Sequence, residues 1–253
     1  MASRKDVIAF CDDLLQIDAF TDYGPNGLQV PGAEEIDLVA TAVSAHLASI
    51  TAATEIGAGL LLAHHGLFWD FHPRSLSEAM AARLRVALDA DLSIAGYHLP
   101  LDAHPDVGNN VLLARQLGFT AEPGPIGEAK GRHIGAIGRS STGITAGDLF
   151  SQVERELNRE PLVFAEGPER IHSIGVVTGS GASEIHTAIA LGLDALITGE
   201  PSEHVMADAR EGGIHFIAAG HYATEIAGIR RLGEVVAAEF GIEHRFIDMP
   251  NPI

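Results

Sequence analysis

Apolar positions along this chain follow two alternating spacings. Val7, Ile8, Cys11, Leu14 and Leu15 recur at helical intervals and predict a helix over 3–17. The stretch DYGPNGLQVPG (22–32) is dense in Gly, Pro and Asn and reads as a loop. LVATAVSA (38–45) has strand character and precedes a helix running through Glu55. GLLLAHHGLFW (59–69) begins as a buried strand and breaks at Gly66. A helix follows over 76–89, a strand over 92–98, and a loop over 99–110 that leads into a helix ending near Gly118. Beyond it, strands are predicted at 133–139, 161–165, 171–179, 194–199, 214–220 and 242–247, with helices at 145–158, 183–192, 202–211 and 223–240. Strands alternating with helices, and strands apolar on both sides, predict an α/β protein whose sheets are covered on both faces. The Gly- and Pro-rich stretch AEPGPIGEAKGR (121–132) reads as a domain boundary. The expected organisation is an outer α/β domain of 1–122 and 194–253, which carries the candidate ligands described below, around a smaller middle unit of 123–193.

Composition narrows the function classes. Of 253 residues 46% are hydrophobic, enough for a full core. No apolar run approaches the ~20 residues needed to span a bilayer. The opening MASRKDVIAFCDDLL carries Asp6, Asp12 and Asp13, so it reads as an amphipathic helix and not an export leader. Cys11 is the single cysteine, which rules out an internal disulfide and points to the cytoplasm. With 16 basic and 34 acidic residues the net charge is −18, unsuited to nucleic acid or to an anionic membrane. A small anionic substrate stays compatible, because a bound cation reverses the local field.

The candidate chemistry lies where predicted strands end. His64 and His65 close an apolar strand at Gly66; a strand would send them to opposite faces, and the break allows both to serve one site. Taken alone, the pair fits capped core histidines better. His98 and Asp102 flank Pro100 in YHLPLD, a turn that presents both side chains, unless Asp102 merely caps it. His221 and Glu225 are four apart at the opening of a helix and share a face; the glutamate would also favour the helix dipole there without any ligand. Together the six residues offer nitrogen and oxygen donors without thiolate, a set suited to zinc, iron, manganese, cobalt or nickel. Six donors exceed the four of a structural zinc site and point to two ions about 3.5–4 Å apart, the hydrolytic arrangement. Three further features have two readings each. Gly179-Ser180-Gly181 is either a phosphate cradle or a tight turn. Glu200, Glu203 and His204 are either proton-transfer groups or helix caps. Trp69 either stacks on a ring or packs in the core, and core packing is the better fit to the sequence.

The segments DYGPNGLQV, LLAHHGLFW, AGYHLPLDAHPDVGNN, TGSGASE, DALITGEPSEH and AAGHYATEIAGIRRLGE resemble the NIF3-like family, also described as GTP cyclohydrolase I type 2 homologs, nearly end to end and in its short bacterial form. The resemblance implies two similar α/β units with covered sheets and a dinuclear metal site between them. It places two divalent ions per chain on His64, His65, Asp102, His221 and Glu225, with His98 close to them. It also implies a toroidal homohexamer. Tyr23-Gly24-Pro25 departs from the Trp-Asp-Asn of many relatives at the site's rim. The implied activity is metal-dependent hydrolysis of a small molecule such as a nucleotide, with His98 and Glu200 as candidate proton-transfer groups. A regulatory or scaffold protein that binds metal without turnover is the alternative.

Overall fold

A computed structural model describes residues 1–253, which divide into two compact units. The first comprises Met1–Leu101 and Gly228–Met249. Its five-stranded sheet runs in the order Glu243–Phe246, Leu38–Ser44, Leu60–His65, Ser93–Gly96, Gly27–Val30. The first four strands are parallel and the last is antiparallel. Ala40, Ala42, Leu61, Ala63 and Ile94 pack against Ile50 and Ala53 of the helix Leu47–Glu55 and Ala87 of the helix Glu78–Asp89. The alternate residues Val39, Val43, Leu60, Leu62 and Ala95 are also buried, which is why these strands read as continuous apolar runs. Near that second face the helices Arg4–Leu15 and Ile226–Phe240 meet edge-on through Phe10 and Phe240, with ring centroids 5.6 Å apart. Gly233 lets the latter helix lie directly on Thr41 and His244, whose Oγ1 and Nε2 are 2.8 Å apart.

The second unit comprises Asp102–Ala227 and Pro250–Ile253. Its six strands run in the order Leu162–Ala165, His215–Ala218, Ala195–Thr198, Arg170–Val177, Ala136–Thr145, Thr120–Pro123. The second, third and fourth of these are mutually parallel, and the flanking pairs are antiparallel. Alternation of period two feeds two cores. Ile174, Val176, Ala195, Ile197 and Ile217 face Leu149 and Val153 of the helix Ala146–Leu157. Val177, Leu196, Phe216 and Ala218 face Ile185, Ala188, Val205 and Ala209. The α/β class and the sheets covered on both faces are as the sequence predicts.

The expected domain limits are displaced. The glycines and prolines of 121–132 do not form a linker: Pro123 closes the strand Thr120–Pro123, and the rest lead into and turn the hairpin of Glu128–Ala129 with Arg132–His133. A cut at 193/194 would sever Ala195–Thr198 from both parallel neighbours. Residues 102–122 and 194–227 therefore belong with 123–193. Two local readings also change. The predicted loop 22–32 contains the edge strand Gly27–Val30, too short and too rich in turn residues to show its period. Leu99–Asp102 is one helical turn, because Pro100 stands in the first turn, where its missing N–H costs nothing.

Cys11 lies fully buried on the helix Arg4–Leu15. Burial pushes its thiol up to about 12, the charge of Asp12 adds to the rise, and a hydrogen bond from Tyr97 only partly opposes it. The thiol therefore stays protonated and shielded at neutral pH. Titration with a disulfide reagent at pH 8 is expected to find no reactive thiol in the native protein and one per chain in denaturant; rapid native labelling would contradict this burial.

Candidate metal centre

In the first unit, Leu60–His65 pairs with Ser93–Gly96 only as far as Ala63 and Gly96. Past that point His64 and His65 close the first strand, with His65 still paired to Ser44, and His98 follows the second, at the C-terminal end where α/β sheets bind ligands. One donor atom from each of the three lies within 4.8 Å of the other two. Each ring is held through Nδ1. His64 Nδ1 is 3.0 Å from the Tyr97 carbonyl, to which it donates. His65 Nδ1 is 3.1 Å from Ser44 Oγ, and His98 Nδ1 is 2.8 Å from Asp22 Oδ1. The Tyr97 carbonyl and the Asp22 carboxylate can only accept, so Nδ1 carries the proton and Nε2 is the ligating atom on His64 and His98, while Ser44 occupies Nδ1 of His65.

The loop 22–30 supplies this orientation. Asp22 accepts from the His98 ring, from the backbone N–H of Leu99 and from Asn26 Nδ2. Its side chain is only 3% exposed. Burial would raise its carboxyl, but the bonds and charge of His98, with Asn26 and the Tyr23 N–H, outweigh this and hold it below the usual range. Asn26 Oδ1 accepts from the His98 backbone N–H, and Gln29 Oε1 accepts from Leu67 N–H, which pins the turn after His65. The sequence alone assigns no role to these three polar residues; the available signal was polar side chains spaced among turn residues. Trp69 is half-buried and not a core residue. It stacks on Phe71 at 20° and 5.6 Å and stands edge-on to His98 at 5.1 Å.

In the second unit, Asp102, His221 and Glu225 form the second set of candidate donors. The carboxylates of Asp102 and Glu225 are buried, and oxygens of the two lie within 4.8 Å of each other. Asn109 Nδ2 donates to Asp102 Oδ1 at 2.8 Å. Asn110 ties the Asp102 and Ile134 carbonyls to Thr178 N–H. His221 presents Nε2 to Glu225 Oε2 at 3.2 Å, while its Nδ1 is hydrogen-bonded to Glu200. Burial would depress the His221 ring, but the contacts with Glu225 and Glu200 prevail and push it up to about 9. The ring therefore carries a proton between His221 and Glu225, at a place where a cation would satisfy the same donors. Glu200, a candidate proton-transfer group from the sequence, is the partner of the His221 ring. Glu203 is exposed, and His204 Nδ1 bonds Asp208 Oδ2 instead of joining this set.

The turn Gly179-Ser180-Gly181 belongs to the second set. Gly179 has φ +66°, and a Cβ there would collide with Glu225 Oε1 and crowd His221 Nε2. Its N–H donates to Thr224 Oγ1, and that of Gly181 to Thr198 Oγ1. Both glycine amides are engaged inside the fold, which takes two donors from the phosphate-cradle reading. The turn instead gives the carboxylate room.

The donor set fits a divalent transition cation: imidazoles with fixed tautomers and buried, hydrogen-bonded carboxylates. Removing the orienting charge at Asp22→Asn or Glu200→Gln is expected to weaken divalent-ion affinity roughly 10–100-fold with the fold retained. Competition against a chromophoric chelator measures this, and wild-type affinity in both variants would contradict the role given to these carboxylates.

The chain matches the family described as Duf34/NIF3 (NGG1p interacting factor 3) over residues 2–252. It is 44% identical over 241 residues to the GTP cyclohydrolase 1 type 2 homolog of Pseudomonas aeruginosa, covering 95% of each chain. It is 40% identical over 248 residues to the homolog of Deinococcus radiodurans, covering 98% of this chain and 94% of that one. Among solved structures, the structural-genomics protein ybgI, of unknown function, is 38% identical with a TM-score of 0.93, and a protein from Thermus thermophilus is 31% identical with a TM-score of 0.89, each over 100% of both chains. A reduced HcgD from Methanocaldococcus jannaschii, at 22% identity and a TM-score of 0.84, shares the fold. On the whole-chain match and these identities, the protein belongs to the Duf34/NIF3 family.

Proposed function

We propose that this protein is a metal-dependent hydrolase of a small anionic molecule, with two divalent ions held by His64, His65, Asp102, His221 and Glu225. The observation that carries the reading is the set of three imidazoles, His64, His65 and His98, each held through Nδ1 with donor atoms within 4.8 Å. Five ligands shared between two ions leave positions for water and substrate, as a working site requires. When bound, such ions supply Lewis acidity and a water of lowered pKa. The chain's own residues do the rest. Asn109 orients Asp102, Glu200 orients His221, and Asp22 keeps His98 in the tautomer that presents Nε2 to a reacting group. His98 is then the proton-transfer candidate, and Glu200 acts through His221.

Substrate chemistry is suggested by a cavity of the first unit that includes Trp69, the neighbour of His65 and His98. This cavity of about 550 Å³ is lined by Trp69, Arg74, Met80 and Arg83 among others. An indole face suits a planar ring, and two guanidinium groups suit an anion in a chain of net charge −18. A nucleotide has both, in keeping with the name carried by the homologs. The single buried thiol accords with a cytoplasmic setting.

Protein reconstituted with zinc, manganese or iron is expected to hold up to two ions per chain at this centre by elemental analysis, and His64→Ala or Glu225→Ala to lose most of these. Asp102→Asn keeps the side chain's shape and loses its charge, so affinity and rate should fall together. Metal-loaded protein should be screened against GTP, other nucleotides, phosphodiesters and cyclic amides. Turnover that survives complete chelation would overturn the reading, and no turnover on any class would leave a metal-binding regulatory or scaffold protein.

The family resemblance further supports a homohexamer, in which a −18 chain needs apolar contacts and local charge pairing to meet its copies. Light scattering at micromolar concentration should find six chains; monomer only would refute it.

A further inference from the structure

A second cluster of metal-binding side chains lies on the surface of the second unit. His186 is on the helix Ile185–Ala190; His204 immediately precedes the helix Val205–Gly212, and Asp208 is one turn further along. Both histidines converge on one oxygen. His204 Nδ1 is 2.7 Å from Asp208 Oδ2, and His186 Nε2 is 3.5 Å from the same atom. The two rings are nearly parallel, at 11° with centroids 6.1 Å apart. One donor atom from each of the three residues lies within 4.8 Å of the others. An ordinary contact between residues four apart on a helix explains His204 with Asp208. It does not explain a second imidazole, from another helix, brought to the same carboxylate oxygen.

We propose that His186, His204 and Asp208 form a surface site for a first-row transition cation such as Zn²⁺ or Ni²⁺. A tetrahedral ion with bonds of about 2.0–2.2 Å separates its ligand atoms by roughly 3.3–3.6 Å. The His186–Asp208 spacing already meets this, and His204 needs to withdraw by less than about 1 Å. Its side chain is 46% exposed and free to do so. The backbone positions are set independently of any ion. Ile185 and Ala188 pack with Val205 and Ala209 in one apolar core, so the ligands are presented before a cation arrives. Two imidazoles and a carboxylate select such cations over Mg²⁺ and Ca²⁺, which favour all-oxygen shells. The remaining coordination positions are open to water. The site shares no ligand with the candidate metal centre and does not rest on the hydrolase reading. A bound ion would pin the two helices together, and the second of them starts five residues after Glu200.

The test uses the full chain and Zn²⁺ as the probe, with ion stoichiometry from equilibrium dialysis and amide exchange over 182–213 read by mass spectrometry. The wild-type protein is expected to bind one ion more than His186→Ala or His204→Ala, and to show slower exchange in this segment with Zn²⁺ but not with Mg²⁺. Asp208→Asn should lower the affinity of this ion by at least about tenfold while leaving the two helices intact. His64→Ala should keep this ion and its protection even where it loses others, which separates the present site from the metal centre. Equal stoichiometry in wild type and both histidine variants, or full Zn²⁺-dependent protection of the segment in His186→Ala, would overturn the proposal.

Discussion

An imidazole can serve a cation only when its proton is parked elsewhere, and much of the candidate centre is built around parking it. Neutral histidine carries one proton on one of two nitrogens, and a partner at Nδ1 decides which. Tyr97 and Asp22 meet this demand for His64 and His98, and Glu200 meets it for His221. Each partner is itself constrained. The Tyr97 carbonyl is available because its strand ends at Gly96, and Asp22 is available because Asn26 and the Leu99 amide hold it. The loop 22–30 thus depends on the histidines and the histidines on the loop. Buried polar groups of this kind either form a complete network or destabilise the fold.

The candidate ligands are more legible in the sequence than their supports. His64 and His65 stood out because they end an apolar run, and His221 and Glu225 because their spacing matches a helix face. Those signals are local. Asp22 is 76 positions from His98, and Glu200 is 21 from His221, so no periodicity connects them. Trp69 was read as a core residue because large aromatic rings usually are; its neighbours Phe71 and His98 instead leave it half-buried. The domain limits failed for a related reason. Gly and Pro mark a change of chain direction, and a hairpin inside one sheet uses the same residues as a linker between two. Only strand pairing tells them apart, and the pairings of Ala195–Thr198 are with strands ending at Val177 and beginning at His215.

Gly179 shows how a turn residue can have a role outside the turn. Its positive φ would explain a glycine by itself. Yet the space a methyl group would fill is occupied by Glu225, while the amide of the same residue steadies Thr224. Backbone shape and carboxylate placement are therefore satisfied by one residue.

The first unit is discontinuous in the chain, and this has a kinetic consequence. Its edge strand Glu243–Phe246 pairs in parallel with Leu38–Ser44, and His244 reaches Thr41 across 203 positions. During synthesis that strand is made long after its partner, while most of the second unit, 102–227, is contiguous and has its sheet residues available earlier. Loop-closure entropy grows only slowly with length, and a segment that has already collapsed leaves less free chain to close. The order that follows is a second unit that folds first and a first unit that waits, its helix Ile226–Phe240 and last strand arriving together. Until then the Leu38–Ser44 edge has unpaired backbone groups, so the interval before residue 246 emerges is when this chain is most exposed to pairing with a neighbour.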